Sequence, residues 1–314
     1  MKTCKLCILI PCYNEEEIIK YSSGKLFKIL TSLVSKKKIL KSSYLCFVDD
    51  GSIDKTWELI KEIGKKNKSI KGLKLSRNYG HQSALLAGLL TQKDKSDCVI
   101  TIDADLQDDV SVIEDMIDEY YKGNSIVYGI RKSRDVDSVF KRFTAQFFYK
   151  LLNFLKVKTV YNHADFRLTD KKILNELSKF NEVNLYLRGL FPLIGLKSSS
   201  VYYERKKRTA GITKYPFRKM LLFAWDGITS FSFSPMRLIL LLGVFIFIIS
   251  SSFGLWAIIL LIIGKSIPGW ASTVIPIYFF GGLQLMCIGI LGEYIGKIYA
   301  ETKSRPRYII DEEV

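Results

Sequence analysis

Short apolar runs alternate with longer, helix-like segments through residues 6–128 of this chain. The predicted strands are residues 6–10, 44–48, 72–75, 99–102 and 126–128. Helices are predicted between them, where apolar residues recur at helical spacing, over residues 15–35, 55–65, 82–91 and 112–121. Because continuously apolar strands must be covered on both faces, this pattern predicts an α/β fold with a mostly parallel sheet and helices on both sides.

Polar clusters follow the first four predicted strands. They occupy residues 11–16, 49–54, 76–81 and 103–109. Ligands bind open α/β sheets beyond the carboxyl ends of the strands. Since parallel strands bring these ends to one rim of the sheet, the four loops predict a binding cleft at that rim.

Asp103, Ala104 and Asp105 come directly after the fourth predicted strand. Two carboxylates one residue apart can jointly hold a hard divalent cation such as Mg²⁺ or Mn²⁺, and Gln107 could add a further oxygen. The cation would neutralise charge that develops on a leaving nucleoside diphosphate. A lone Asp-x-Asp also suits a solvated acidic turn, so the metal prediction depends on the neighbouring loops.

The chain carries a formal net charge of +16. This charge suits an anionic membrane or phosphorylated substrates, and we expect no nucleic-acid partner because the pattern of an RNA-binding module is absent. Much of the basic excess lies in residues 197–219, where Arg205, Arg208 and Lys214 could hold the phosphates of donor and acceptor. General attraction to anionic lipid is the alternative. Two further arginines are weaker phosphate candidates, namely Arg131 and Arg188.

The cysteines and the N-terminus both indicate a cytoplasmic domain. Cys4 and Cys7 form a C-x-x-C in the apolar strand pattern at the N-terminus, but no second Cys pair or suitably spaced His completes a zinc site. Buried free thiols in a reducing compartment are therefore expected. No N-terminal signal peptide is visible, so the N-terminal domain is expected to stay in the cytoplasm.

Residues 236–263 are almost purely apolar and contain one charged side chain, Arg237. A second apolar run covers residues 274–295. Both runs are long enough to cross a bilayer, which takes roughly 20 residues of helix. Basic residues flank the outer ends of the pair and the connecting loop carries one lysine, so the positive-inside rule places both termini in the cytoplasm. A buried helical hairpin of a soluble protein is the alternative.

Residues 216–233 mix charged residues with apolar residues at helical spacing, which predicts an amphipathic helix at the membrane surface or, alternatively, a helix of the soluble domain. A further helix is predicted over residues 140–155. The predicted organisation in the inner, cytoplasmic membrane has four parts: a cytoplasmic domain (1–215), a juxtamembrane amphipathic helix (216–234), a two-helix transmembrane hairpin (235–296) and a cytoplasmic C-terminal tail (297–314).

Four motifs resemble the successive motifs of family 2 glycosyltransferases, which have a GT-A fold built on a Rossmann-like sheet. They are P-C-Y-N-E-E at 11–16, D-D-G-S at 49–52, S-R-N-Y-G at 76–80 and D-A-D-L-Q-D at 103–108. Later segments resemble the dolichyl-phosphate mannose synthase-like branch, namely A-D-F-R-L at 164–168, G-I-T-K-Y at 211–215 and F-S-P-M-R at 233–237. The closing segments are similar to bacterial members with two C-terminal spans, which include bactoprenol (polyprenyl-phosphate) glucosyltransferases: L-G-E-Y-I-G at 291–296 and R-P-R-Y at 305–308.

The resemblance implies an inverting, metal-dependent transfer of a sugar from a UDP-sugar to polyprenyl (undecaprenyl) phosphate at the membrane. The residues that it implies in nucleotide-sugar binding are Pro11, Tyr13, Asn14, Glu15, Asp50, Arg77, Asp103 and Ala104. The implied metal ligands are Asp103, Asp105 and Gln107, and the implied phosphate contacts are Arg131, Arg205, Arg208 and Lys214. Asp105 and Asp165 hold the catalytic positions, although Asp165 could instead orient the sugar or acceptor, or pair with Arg167.

Glucose is the preferred sugar in this interpretation, and the β-linked lipid product would serve cell-envelope glycan modification. Mannose, N-acetylglucosamine and N-acetylgalactosamine stay open as alternatives, as does a homo-oligomeric assembly. A catalytically silent membrane scaffold that binds nucleotide-sugar is an alternative of a different class. A processive polysaccharide synthase is disfavoured because the Gln-x-x-Arg-Trp signature is missing, and a nucleotide-linked oxidoreductase because the first strand lacks a following G-x-G-x-x-G.

Overall fold

The structure is a computed structural model, and it describes residues 3–132, 163–182, 187–204, 234–263 and 269–314. The strands among these residues are β1 (Leu6–Cys12), β2 (Tyr44–Asp49), β3 (Ile70–Leu75), β4 (Cys98–Thr101), β5 (Ile126–Arg131), β6 (His163–Asp170), β7 (Ser198–Tyr203) and β8 (Ile310–Glu313). The helices among them are α1 (Ile19–Ser35), α2 (Thr56–Lys66), α3 (His81–Gln92), α4 (Ile113–Tyr121), α5 (Lys171–Leu177), α6 (Leu187–Ile194), α7 (Ser234–Ile262) and α8 (Trp270–Thr302).

The described strands form one sheet in the order β7-β5-β6-β4-β1-β2-β3-β8. Its centre, β4-β1-β2-β3, is parallel, and β5 also pairs parallel with β7. Strands β6 and β8 run antiparallel to their neighbours. Every position of β1, β2 and β4 is buried, because these largely apolar strands are covered on both faces. The predicted α/β architecture is therefore confirmed, and the five predicted strands correspond to β1–β5.

Helices pack on both faces of the sheet, as predicted. Helices α1, α2 and α4 cover one face, and Leu26, Ile60 and Ile117 belong to the same apolar core as the strand residues beneath them. Helices α3, α5 and α6 cover the other face, where Leu86 and Leu190 are fully buried. The two cores hold the sheet from both sides, so the loops at its rim extend from a rigid base.

Helix α3 approaches the sheet closely at Gly88. A Cβ atom at this position would lie 2.4 Å from Leu9 Cδ1 and 2.8 Å from Val48 Cγ2, so only a hydrogen fits. A glycine inside a helix costs about 1 kcal/mol relative to alanine, and the close packing offsets that loss. The contact also holds the first residue of α3, His81, at the rim of the sheet.

Residues 310–313, which the sequence places in a tail, form the edge strand β8. Strand β8 pairs antiparallel with β3, and Gly72 and Val314 exchange two backbone hydrogen bonds of 2.9 Å. A Cβ atom on Gly72 would lie 2.9 Å from Val314 Cγ2, so the glycine leaves room for the valine. Side chains add to the ladder, as in the 2.9 Å ion pair between Lys61 and Glu312. The sheet therefore includes a segment that follows the apolar region in sequence.

Helices α7 and α8 expose apolar side chains along their length. Examples with more than half of the side chain exposed are Leu240, Phe245, Ile262, Leu285 and Ile288. Within the described part of the chain, one helical segment, Phe279–Thr302, is long and apolar enough to cross a membrane by length and composition, and the apolar stretch Ile239–Phe253 is shorter. The predicted helices at 140–155 and 216–233 lie outside the described residues.

Candidate active site

The loops after β1 and β2 meet at the carboxyl rim of the sheet. Ser52 Oγ accepts a hydrogen bond of 2.9 Å from the backbone N–H of Asn14, and Asn14 Oδ1 accepts one of 2.9 Å from the N–H of Ile53. Asn14 adopts a left-handed backbone conformation, with φ of 52°, which asparagine tolerates better than most residues. Asn14, predicted to bind nucleotide-sugar, therefore holds the neighbouring loop with its side-chain oxygen.

Asp50 joins the loop after β2 to the loop after β3. Its two carboxylate oxygens accept hydrogen bonds from the backbone N–H groups of Tyr79 (2.8 Å) and Gly80 (2.9 Å). Burial raises the pKa of the Asp50 carboxyl, and these two hydrogen bonds oppose that rise. Gly51 allows the close approach of the loops, since its φ is +66° and a Cβ atom there would lie 2.4 Å from the backbone carbon of Arg77.

The remaining residues predicted to bind nucleotide-sugar differ in exposure. Pro11 is buried in β1, where it pairs with Val48. Tyr13 and Glu15 are half-buried at the rim, and Arg77 is exposed with its guanidinium carbon 4.2 Å from the ring centroid of Tyr79. The side chains of Tyr13, Glu15 and Arg77 are therefore accessible to a ligand at the rim, whereas Pro11 is enclosed within the sheet.

The Asp-Ala-Asp motif follows β4 on the same rim. Asp103 and Asp105 are partly exposed, and Ala104 between them is buried. Asp105 Oδ1 accepts a hydrogen bond of 3.3 Å from the backbone N–H of Gln107, whose side chain is mostly buried. The intervening Leu106 has a φ of 46°, so the motif turns tightly and keeps both carboxylates near the end of the strand.

The electrostatics of this motif suit a cation. The pKa of Asp103 is raised to about 6, chiefly because burial disfavours its charge; His81 opposes the rise, and the carboxylates of Asp108, Asp165 and Asp105 add to it. A bound cation would relieve this crowding of negative charge. Among the described residues, no group of three His, Cys, Asp or Glu side chains could hold a metal ion by itself.

Asp165, in β6, lies beneath this motif and is only 6% exposed. Its carboxylate accepts hydrogen bonds from Arg188 Nε (3.2 Å) and Arg188 Nη2 (2.9 Å), and it also pairs with Arg167. Burial favours the neutral carboxyl, yet Arg188, His81 and Arg167 together hold its pKa well below the usual range. The pairing with Arg167, which the sequence left as an alternative, is present.

His81 links the two acidic elements of the site. Its Nε2 lies 3.8 Å from Asp103 Oδ1 and 3.5 Å from Asp165 Oδ2. Burial lowers the pKa of this imidazole, but Asp165 and Asp103 outweigh burial and raise it. Sequence reasoning did not single out His81, although its position directly after the S-R-N-Y-G motif, at the start of α3, was a usable signal.

Arg131 is held by two buried side chains. Its Nη2 donates to Asp108 Oδ1 over 3.2 Å and its Nε donates to the hydroxyl of Tyr203 over 3.3 Å. The other predicted phosphate contacts lie outside the described residues, namely Arg205, Arg208 and Lys214. Asp108 and Tyr203 are further residues that sequence reasoning missed.

The glycosyl transferase family 2 model matches residues 7–178, from β1 to the end of α5. The chain is 54% identical to the uncharacterized glycosyltransferase YkoT of Bacillus subtilis, over 98% of this chain and 91% of that protein. It is 38% identical to the bactoprenol glucosyl transferase of Shigella phage SfX, over 98% of each chain.

A solved structure also resembles the fold. Mannosyl-3-phosphoglycerate synthase from Rubrobacter xylanophilus aligns with a TM-score of 0.48 and 14% identity, over 71% of each chain. The family match covers more than half of the chain, including all four rim loops, and the two relatives cover nearly all of it. This protein therefore belongs to glycosyl transferase family 2.

Proposed function

We propose that this glycosyltransferase moves glucose from UDP-glucose to undecaprenyl phosphate with inversion, giving a β-linked lipid sugar for cell-envelope glycan modification. The observation that carries the proposal is the 38% identity to a protein named bactoprenol glucosyl transferase, over 98% of each chain. Identity of that length includes the rim loops and the apolar helices alike. Mannose, N-acetylglucosamine and N-acetylgalactosamine are the alternative sugars.

In the proposed reaction, a phosphate oxygen of the lipid attacks C1 of the sugar. The bond between C1 and the β-phosphate oxygen breaks, its electron pair leaves with UDP, and the configuration at C1 inverts. The second pKa of a phosphate monoester is about 6, so the acceptor phosphate is largely ionised at neutral pH. Its oxygen therefore needs no general base to become nucleophilic. The acceptor itself therefore supplies the nucleophile.

Asp165 suits the role of a positioning residue better than that of a general base. Its carboxylate is occupied by Arg167 and Arg188, and its pKa lies well below the usual range, so it binds a proton weakly. We infer that Asp165 orients Arg188 and His81 toward the cleft. Held in this way, the two cationic or donor groups could contact the sugar or a phosphate.

Asp103 and Asp105 would hold a divalent cation, Mg²⁺ or Mn²⁺, together with Gln107 and oxygens of the diphosphate. When bound, the cation would stabilise the charge that develops on the leaving UDP. Tyr13, Glu15 and Arg77 would contact the nucleotide. The proposed metal site draws support from the crowding of carboxylates around Asp103.

We further propose that Arg131, Arg205, Arg208 and Lys214 contact phosphates, since guanidinium groups bind phosphate oxygens in two-point contacts. The exposed apolar side chains of α7 and α8 support an arrangement in which both helices span the membrane and both termini are cytoplasmic. Residues 216–234 would then lie at the membrane surface, where a lipid presents its head group.

The test uses the purified full-length protein in detergent with undecaprenyl phosphate, Mn²⁺ or Mg²⁺, and a panel of radiolabelled donors. We expect label from UDP-glucose to enter the lipid phase, and less label from GDP-mannose, UDP-N-acetylglucosamine and UDP-N-acetylgalactosamine. If the protein prefers another donor, the sugar in the proposed reaction is that donor's sugar and not glucose. If no donor labels the lipid although UDP-sugar binds, the scaffold interpretation is the better one.

A further inference from the structure

Three residues from separate elements meet at one point beside the site. Asp108 lies in the loop after β4, Arg131 ends β5 and Tyr203 ends β7. The Tyr203 hydroxyl donates to Asp108 Oδ1 over 2.7 Å and accepts from Arg131 Nε over 3.3 Å. Arg131 Nη2 also donates to Asp108 Oδ1, over 3.2 Å. The three side chains thus form a closed ring of hydrogen bonds, called here the Arg131 cluster.

The Arg131 cluster is buried on the side of Asp108 and Tyr203. Asp108 is 3% exposed and Tyr203 is 2% exposed, whereas the side chain of Arg131 keeps 19% of its surface exposed. Phe166 packs edge-on against the Tyr203 ring, with centroids 5.5 Å apart, and so limits its rotation. The cluster therefore has a rigid inner part, and Arg131 is its one member that reaches solvent.

The charges within the Arg131 cluster support one another. Burial raises the pKa of Tyr203, and the neighbouring carboxylate of Asp108 raises it further, so the hydroxyl stays a neutral donor. Burial disfavours the charge of Arg131, but Asp108 and Tyr203 outweigh burial and raise its pKa. A buried carboxylate is costly unless it is paired and hydrogen-bonded, and here both conditions are met.

The Arg131 cluster connects the Asp-Ala-Asp loop to the end of β7. Asp108 comes three residues after Asp105 in the Asp-Ala-Asp loop, and Tyr203 comes two residues before Arg205 in sequence. The backbone N–H of Lys132 donates to the Tyr203 carbonyl over 2.9 Å, which ties the end of β5 to the end of β7. A shift of Arg131 would therefore displace groups in the Asp-Ala-Asp loop and at the end of β7.

We propose that Asp108 and Tyr203 are positioning residues for the acceptor phosphate, which act by holding the guanidinium of Arg131 in one orientation. This inference rests on the proposed function, in which the acceptor is a lipid phosphate. A free arginine side chain loses conformational entropy when it binds a phosphate. A guanidinium group that is already held in one orientation does not lose this entropy on binding. We therefore expect the fixed orientation of Arg131 to strengthen binding of the acceptor phosphate and to change binding of the nucleotide-sugar little.

The test substitutes Tyr203→Phe, which removes one hydroxyl and keeps the ring against Phe166. We expect the KM for undecaprenyl phosphate to rise about tenfold, as for loss of a hydrogen bond to a charged group, while the KM for UDP-sugar changes less than about twofold. The matched control is Tyr202→Phe, which removes the same atom from an adjacent side chain that is 57% exposed and should leave both constants unchanged.

Asp108→Asn provides a second variant, and it should raise the acceptor KM in the same direction. Melting temperatures of all variants show whether each assay is run on folded protein. An unchanged acceptor KM in Tyr203→Phe, or an equal rise in both constants, would overturn the inference while the proposed function stands. Loss of cooperative melting in both variants would also contradict it, because the cluster would then serve the fold. If the wild-type protein labels no lipid, the proposed function itself fails.

Discussion

The indole Nε1 of Trp57 donates a hydrogen bond of 2.8 Å to Glu312 Oε2, which joins helix α2 to strand β8. The same carboxylate pairs with Lys61 at 2.9 Å, and it belongs to a strand that follows the apolar helices in sequence. The sheet of the catalytic domain is thus completed by residues from beyond the proposed membrane region. The end of α8 and the β3 edge are therefore connected through a short segment.

We predict that Gly72→Ala destabilises the domain by about 1–3 kcal/mol. The added Cβ would lie 2.7 Å from Ile60 Cγ2 and 2.9 Å from Val314 Cγ2, so packing against both would have to shift. Gly24→Ala is the matched control, since nothing lies within 4 Å of its Cβ position in α1, and it should stabilise by about 0.5–1 kcal/mol. Thermal melting measures the stability of both variants relative to wild type. A Gly72→Ala protein that is as stable as wild type would contradict the prediction.

We predict that Gly51→Ala raises the KM for the nucleotide-sugar. A side chain at this left-handed position would collide with the Arg77 backbone and push the loop after β3 away from Asp50. Gly123→Ala is the control, because its φ of 83° imposes similar strain with nothing within 4 Å and away from the site. Gly123→Ala should lose about 1–2 kcal/mol of stability through backbone strain and Gly51→Ala should lose more because of the collision, but only Gly51→Ala should change the KM. Equal donor constants in the two variants would count against the assignment of this loop.

We predict that Asp105→Ala lowers turnover at least about a hundredfold, because the leaving diphosphate would lose its stabilising charge. Calorimetric titration should show that UDP no longer increases the affinity of the variant for Mn²⁺. Asp94→Ala is the control, since Asp94 is 73% exposed and pairs only loosely with Lys171, at 3.4 Å. Full activity of the wild-type protein in excess EDTA would remove the metal from the mechanism.

Asp165→Asn should destabilise the protein by about 3–5 kcal/mol at pH 7, because Arg167 would stay buried beside a neutral amide. The folded-state pKa of Asp165 lies below the unfolded value of 3.8, so the folded protein binds this proton less tightly than the unfolded chain. Its stabilising contribution is therefore complete above pH 4 to 5 or so and is lost as pH falls toward the folded pKa. The difference in melting temperature between variant and wild type should narrow as pH falls from 5 to 3, and an unchanged difference over this range would exclude the linkage.

The five strands β1–β5 and the rim loops could be predicted because their signals are local. Continuous apolar runs such as β1 and β4 can be stable only when covered on both faces, and polar residues at their ends then meet at one rim. The Asp-Ala-Asp motif was found in this way. Its position beside Asp165 needed the fold, since β6 reaches β4 only through antiparallel pairing across the sheet.

The contacts that were missed join residues far apart in sequence. Tyr203 meets Asp108 across 95 positions; Asp108 ends the D-A-D-L-Q-D motif, but no local pattern marks Tyr203 or indicates that the two side chains meet. The two backbone N–H groups of another loop that donate to the oxygens of Asp50 were also not foreseen, and its contact with a nucleoside stays a prediction. Strand β8 was missed because Ile-Asp-Glu-Glu lacks apolar alternation, and the lysines that neutralise it lie on other elements.

The position of strand β8 near the end of the sequence has a consequence for folding of the protein during translation. Its partner β3 emerges early and must wait, with one row of backbone groups unpaired, until helices α7 and α8 and the segment that follows them have been translated. Such a bare edge is a template for association with other nascent chains. Completion of the sheet is thereby made conditional on synthesis of helices α7 and α8, so a chain stalled at its apolar helices is left with an unfinished sheet.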